Sequence, residues 1–233
     1  MSVIPEDVKK TPMLEQYCYW KERYPDCLLF FRMGDFFEMF FRDAEEASRV
    51  LDITLTARDS EKKIPMAGVP CHAAETYLSR LVEAGYRVAV CDQVEEPDGK
   101  KLVDRRVIRV VTPGTYASSD GRSDGRLGSL LSRGDFLAFA LLVPCTGSFE
   151  AGVLPRGEAL ALLRSFEPGD ILCSASEEAL FANLLEPSLV KKLVPRERGE
   201  FDPRRGEAYL ARSFSVATLE GFGFSRGDLS LGC

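Results

Sequence analysis

Histidine is almost absent from this chain, with His72 the only one in 233 residues. The seven cysteines stand singly, without a CxxC pair, so neither a disulfide framework nor a structural zinc site is expected. Most lie in apolar stretches, as Cys91 does in RVAVCDQV, and read as small core residues. Cys71 precedes His72, but a nucleophile and its base are assembled across a fold and rarely from adjacent residues, so His72 reads as a helix-start residue. No apolar run approaches the roughly 18 residues of a membrane span, and the opening MSVIPEDVKK lacks the apolar core of a secretion signal. The expectation is a cytoplasmic protein without membrane association. Positive charge is not in excess either: the net charge is −6, and residues 1–115 carry 17 Lys and Arg against 20 Asp and Glu. That balance excludes a protein coating nucleic acid with a broad basic surface, and any DNA role would need a local patch. No P-loop of the form GxxxxGKS or GxxxxGKT occurs; Gly99–Lys100 lacks both the earlier glycine and the following hydroxyl.

What is present is alternation of strands and helices. Thr11 and Pro12 open a helix as capping residue and first helical position, Leu14, Tyr17, Cys18 and Lys21 follow at helical spacing, and Pro25 closes it. CLLFFRMG is a buried strand ending at Gly34, RDAEEASRVLD an amphipathic helix, and DITLTAR an alternating strand. HAAETYLSRLVEAG is a helix closed by Gly85, and YRVAVCDQV and DRRVIRVVTPG are strands. The polar, Gly- and Ser-rich stretch TYASSDGRSDGRLGS then reads as a boundary. Beyond it come a hairpin (GDFLAFALLVP and GSFEAGVL), a helix in GEALALLRSF, a strand in PGDILCS, a helix in SEEALFANLL and a strand in KKLVPRE. The expected fold class is α/β, with a mixed-sheet domain over 1–115, a linker over 116–128 and a second α/β domain over 129–233.

The densest aromatic stretch is GDFFEMFF, from Gly34 to Phe41. Taken alone, its phenylalanines are core. In an extended segment, however, Phe36, Glu38 and Phe40 share one side while Phe37, Met39 and Phe41 share the other. A carboxylate inside an aromatic row is expensive to bury unpaired, so part of that row faces solvent or a ligand unless Arg32 or Arg42 partners Glu38.

Six segments, TPMLEQY, FFRMGDFFEMF, LDITLTAR, IPMAGVPCHA, LVEAGYRVAVCDQ and VIRVVTPGT, resemble in order and spacing the mismatch-recognition domain of the MutS family. The resemblance implies that Phe36 and Glu38 are the family's Phe-x-Glu signature. The phenylalanine then stacks on a mispaired or unpaired base from the minor groove, and the glutamate hydrogen-bonds that base. Met33, Asp35, Arg58 and Met66 lie near DNA by the same resemblance, with Arg58 suited to a phosphate. Lys62 and Lys63 are further candidates for phosphate. The cluster Lys100, Lys101, Arg105 and Arg106, set among Glu95, Glu96, Asp98 and Asp104, reads as a solvated face.

The second half resembles the MutS connector domain, of RNase H-like α/β fold, through the TG after LLVPC and the closing LEGFGF. Relatives often carry an acidic residue before that TG, where this chain has Val143. Family members continue into a lever, a clamp and an ATPase that also joins the dimer, and the abrupt GDLSLGC fits a fragment. The resemblance thus implies a chain that is not itself an enzyme and takes no cofactor, within a homodimeric parent using ATP and Mg. Duplex DNA with mismatches or small loops, and a MutL-type repair protein at the connector, are the implied partners. Two other readings stand beside it: an RNase H-like metal-dependent nuclease in the second half, and a protein-interaction platform only. Against the nuclease, Val143 removes the first expected metal ligand, and Asp135 lies too far toward the start of its strand to replace it.

Overall fold

The computed structural model describes residues 11–59, 64–94, 103–117, 124–225 and 228–233, which form a mixed α/β protein dividing into two units, Met1–Tyr116 and Ala117–Cys233.

The first unit opens with α1 (Pro12–Arg23), whose first turn is closed by the Thr11 hydroxyl accepting from the Leu14 N–H. β1 (Cys27–Met33) turns back into β2 (Phe36–Phe40) through Gly34 and Asp35. Gly34 has φ +59, a left-handed value that a two-residue hairpin loop with glycine first requires. α2 (Phe41–Leu51) follows at once, then β3 (Thr56–Ala57), β4 (Pro65–Pro70) and a 3-10 turn at Cys71–Ala73 holding His72. α3 (Ala74–Glu83), β5 (Arg87–Gln93) and β6 (Arg105–Val111) complete the unit. Its six strands lie in the order β3-β4-β2-β1-β5-β6, with β1 and β5 parallel and the other pairs antiparallel.

Two helices cover one face of this sheet and one covers the other. Ala44, Ala47 and Leu51 of α2 and Leu78, Leu81 and Val82 of α3 pack on Phe30, Phe37, Met39, Val69 and Val90. On the opposite face α1 brings Leu14, Tyr17 and Cys18 against Leu29, Phe31, Phe40 and Cys91. A buried polar knot ties α1, β1 and α2 together. Asp43 accepts from the Tyr17 hydroxyl at 2.9 Å and from the Leu29 N–H at 3.0 Å, and it pairs with Lys21 at 2.8 Å.

The second unit contains β7 (Leu127–Arg133), β8 (Phe136–Val143), β9 (Ser148–Pro155), α4 (Arg156–Phe166), β10 (Asp170–Ser174), α5 (Glu178–Leu184), α6 (Pro187–Val190), β11 (Leu193–Arg196) and α7 (Pro203–Ser213). β7, β8 and β9 form an antiparallel meander, and β10 and β11 add in parallel on the free side of β7. This is the strand arrangement of an RNase H-like sheet. Leu130, Leu137, Phe139, Leu163, Ile171 and Phe181 fill the core between the sheet and its helices.

Several expectations need correction. DITLTAR is a strand only at Thr56–Ala57, because Asp52 ends α2 in a left-handed conformation (φ 56) and the chain must recover before pairing. β4 and α7 were not foreseen. β7 begins at Leu127, inside the stretch read as linker, so the unit opens with three strands and not a hairpin alone. Val143, where the nuclease reading looked for an acid, therefore lies on the second strand of the unit, and the central first strand, β7, carries Ser129 and Ser132 and no carboxylate. Of the cysteines, Cys18, Cys27, Cys91 and Cys173 are buried as expected, Cys71 and Cys233 are partly covered, and Cys145 is exposed.

Candidate nucleic-acid interface

The first unit leaves part of one sheet face uncovered, and the residues there follow from strand register. Glu38 lies opposite Phe31 on β1 and Gly68 on β4, while Phe36 lies between Met33 and Pro70. α1 reaches Phe40, whose ring meets that of Tyr17 edge-on at 5.0 Å, and Phe40 is fully buried. Toward the hairpin turn the cover ends. Phe36 is 48% exposed, although its neighbours Phe37 and Met39, on the other face, are 5% and 0% exposed. The alternation expected for GDFFEMFF holds from Phe36 to Phe40, with that row open at one end and closed at the other. It fails at Phe41, which opens α2 and packs with Phe40 and Tyr17 instead of with Phe37 and Met39.

Glu38 sits in the transition between the two. Neither Arg32 nor Arg42 partners it: Arg32 Nε donates to the Gly34 carbonyl, and Arg42 pairs with Glu46. The partner is Arg58, whose Nη1 donates to Glu38 Oε2 at 3.1 Å. Arg58 follows β3, and its backbone pairs with Ile64, two residues past the row formed by Phe40, Met66 and Thr56. The side chain reaches Glu38 by passing over the Phe40 ring, with the guanidinium carbon 5.6 Å from the ring centroid. Half-burial pushes the Glu38 carboxyl above the usual carboxylate range, and the charge and hydrogen bond of Arg58 only partly offset it.

A second cation acts on Glu38 from the other side. Arg105, expected in a solvated basic cluster, is instead 5% exposed. It stacks over Phe31 at 5.1 Å, and Nε donates to the Arg32 carbonyl and Nη1 to the Val103 carbonyl. Its charge also holds the Glu38 carboxyl down, less than that of Arg58 does. Arg106 is exposed beside Asp104, as expected of a solvated face. Lys62, Lys63, Lys100, Lys101, Glu95, Glu96 and Asp98 lie outside the described residues.

Of the remaining site residues, Met33 and Asp35 lie beside Phe36, while Met66 lies opposite Phe40 at the covered end of the row. Met33 and Met66 are half-buried on flanking strands of the same face, and Asp35 is exposed in the turn, its carbonyl accepting from the Cys71 N–H at 2.9 Å. Gly68 was not singled out in sequence. A Cβ there would stand 3.7 Å from Glu38 Cγ and 3.9 Å from Phe36 Cδ1, so the glycine keeps the floor beside the ring low. A lone glycine inside IPMAGVP was the available signal. The surface thus offers one projecting aromatic ring, a carboxylate two residues on and an arginine able to bond a further anion.

The family model for MutS domain I matches residues 11–120. The chain is 42% identical over 95% of its length to the DNA mismatch repair protein MutS of Anaeromyxobacter dehalogenans (strain 2CP-C), and 43% identical over 96% to that of Syntrophobacter fumaroxidans (strain DSM 10017 / MPOB). The chain belongs to the MutS family. A further MutS, from Ruminiclostridium cellulolyticum (strain ATCC 35319 / DSM 5812 / JCM 6584 / H10), is 48% identical over 70% of this chain. These alignments cover 25%, 26% and 20% of the respective relatives, so the chain spans about a quarter of the length of the curated MutS proteins it matches.

Proposed function

We propose that this MutS-family chain recognises mispaired or unpaired bases in duplex DNA. Phe36 enters the defective step from the minor groove and stacks on a base, and Glu38 hydrogen-bonds that base. The observation that carries this reading is the half-exposed Phe36 ring on the uncovered part of the sheet face, with Glu38 beside it on the same face. Wedging a ring into a base step costs a few kcal/mol of unstacking, least where pairing is already defective. The ring reads the ease of unstacking and so accepts many lesions. The Glu38 charge opposes phosphates everywhere, and its hydrogen bond repays only at a displaced base. Met33, Asp35 and Met66 border the groove, and Arg58 meets the backbone.

In the longer protein implied by the relatives, the second unit acts as a connector. It relays DNA engagement to lever, clamp and ATPase parts and docks a MutL-type partner. ATP and Mg, the dimer contacts and a clamp around the duplex belong to those parts, so this chain alone is a monomer that binds mismatched DNA weakly and is not an enzyme. A nuclease in the second unit has less support, because its central strand carries Ser129 and Ser132 and no carboxylate to hold a metal.

Fluorescence titration of matched and single-mismatch duplexes with the 233-residue chain tests the reading. Preference for the mismatch that disappears in Phe36→Ala is expected. Equal binding of both duplexes, or preference surviving in Phe36→Ala, would overturn it.

A further inference from the structure

We propose that Arg58 sets how strongly Glu38 opposes undistorted DNA: it holds the carboxylate in an ion pair and, through its remaining donors, joins that carboxylate to a backbone phosphate. The proposal rests on the DNA-binding reading above and adds a residue that tunes it.

Geometry gives the first support. A guanidinium has five N–H donors in a planar fork. Here Nη1 bonds Glu38 Oε2, and no other side chain accepts a hydrogen bond from Arg58 among the described residues. More than a third of the side chain is open to solvent, against a fifth for Glu38, so Arg58 is the more accessible member of the pair. An anion arriving at the uncovered face meets Arg58 donors already oriented by Glu38 and by the Phe40 ring. Lysine could not do this. Its ammonium is a point charge without a fork, and it cannot present separate edges to a carboxylate and a phosphate.

Electrostatics gives the second. Glu38 is half-buried, and the cations acting on it are Arg58, from the end of β3, and Arg105, from β6; Phe31, Gly68 and Tyr17, facing this row from β1, β4 and α1, bring no formal charge. Arg105 is committed to backbone carbonyls and to Gln16. Among the described residues, Arg58 alone is both bonded to Glu38 and able to take a second anion. Without it the carboxylate would face the phosphates with only the weaker influence of Arg105 to compensate, and the penalty would fall hardest on matched DNA, where no base hydrogen bond offsets it.

The consequence is non-additivity. Arg58→Gln removes one phosphate contact and unmasks the Glu38 charge, whereas in a Glu38→Gln background it removes the phosphate contact alone. Matched and mismatched duplexes are titrated with the wild-type chain, Arg58→Gln, Glu38→Gln and the double variant at two salt concentrations. Glu38→Gln by itself tightens binding to matched DNA more than to mismatched DNA. Arg58→Gln weakens matched binding by a factor about threefold greater in the wild-type background than in the Glu38→Gln background, a coupling ordinary for directly paired residues. The salt dependence drops by about one phosphate in both backgrounds. Arg58→Lys keeps the salt dependence but loses most of the coupling, which a purely structural role would not produce. Equal factors in the two backgrounds, with mismatch preference intact, would overturn the role of Arg58 alone. A wild-type chain that binds neither duplex, or both equally, would overturn it together with the functional reading.

Discussion

Phe36 and Phe37 are adjacent and chemically identical, yet they answer to different forces. Phe37 packs in the core, its ring stacked at 5.8 Å on Phe30, so Phe37→Ala should cost about 3–5 kcal/mol of stability. Phe36, at 48% exposed, contributes much less burial than Phe37. Phe36→Ala should leave the melting temperature nearly unchanged while removing about 1–3 kcal/mol of stacking on a base. Thermal melts and the duplex titration separate the two effects, and a Phe36→Ala chain that unfolds would return the ring to the core. Glu38 carries the opposite signature. Its carboxyl is raised in the folded chain, so the fold binds that proton more tightly than the unfolded chain does. The contribution of Glu38 to stability is therefore best below about pH 4.3, the ordinary glutamate value, and declines as pH rises to the folded value. Glu38→Gln has no such decline, so its melting temperature should gain on the wild type as pH climbs through that window and then hold level. A difference independent of pH would refute the assignment. The side of the strand on which Glu38 lies was legible in sequence, since strand period alone decides it. Its partner was not, because Arg58 arrives from a strand 20 residues away.

At the scale of elements, the strongly periodic helices over RDAEEASRVLD and HAAETYLSRLVEAG were legible, because packing and local preference agree there. β4 escaped because Pro65, Gly68 and Pro70 punctuate it like a loop, and only its place between β2 and β3 makes it a strand. β7 escaped for a related reason, its LGSLLSR continuing the small polar residues before it. α7 has no buried residue to give it an apolar face worth reading. What fixes the orientation of α1 and α2 on the first sheet is the Tyr17–Asp43–Lys21 knot, invisible in sequence because Asp43 of α2 lies 26 residues from Tyr17 of α1. Asp43→Ala leaves the Lys21 ammonium, only 16% exposed, without its counter-charge, and should cost about 3–5 kcal/mol. Arg42→Ala, one residue earlier on the exposed side of α2, should leave the melt unaltered. Equal effects from the two would show that the knot contributes nothing special.

For the whole molecule, composition spoke truly but quietly. A net charge of −6 says nothing of an interface only a few residues across, in which cations are placed individually on aromatic rings. The α/β class was readable from the alternation of elements, but the sheet orders were not, since they depend on pairings such as β1 with β5 across some sixty residues. One feature of that order has a mechanical meaning. β2 is hydrogen-bonded on both sides, to β1 and to β4, and its turn is tied to Cys71, so the ring of Phe36 stands on a stiff mount. When a stiff body presses on a soft one, the soft one deforms. On the mismatch-binding reading, bending at contact falls almost wholly on the duplex, and lesions would be sorted by the local compliance of the DNA itself.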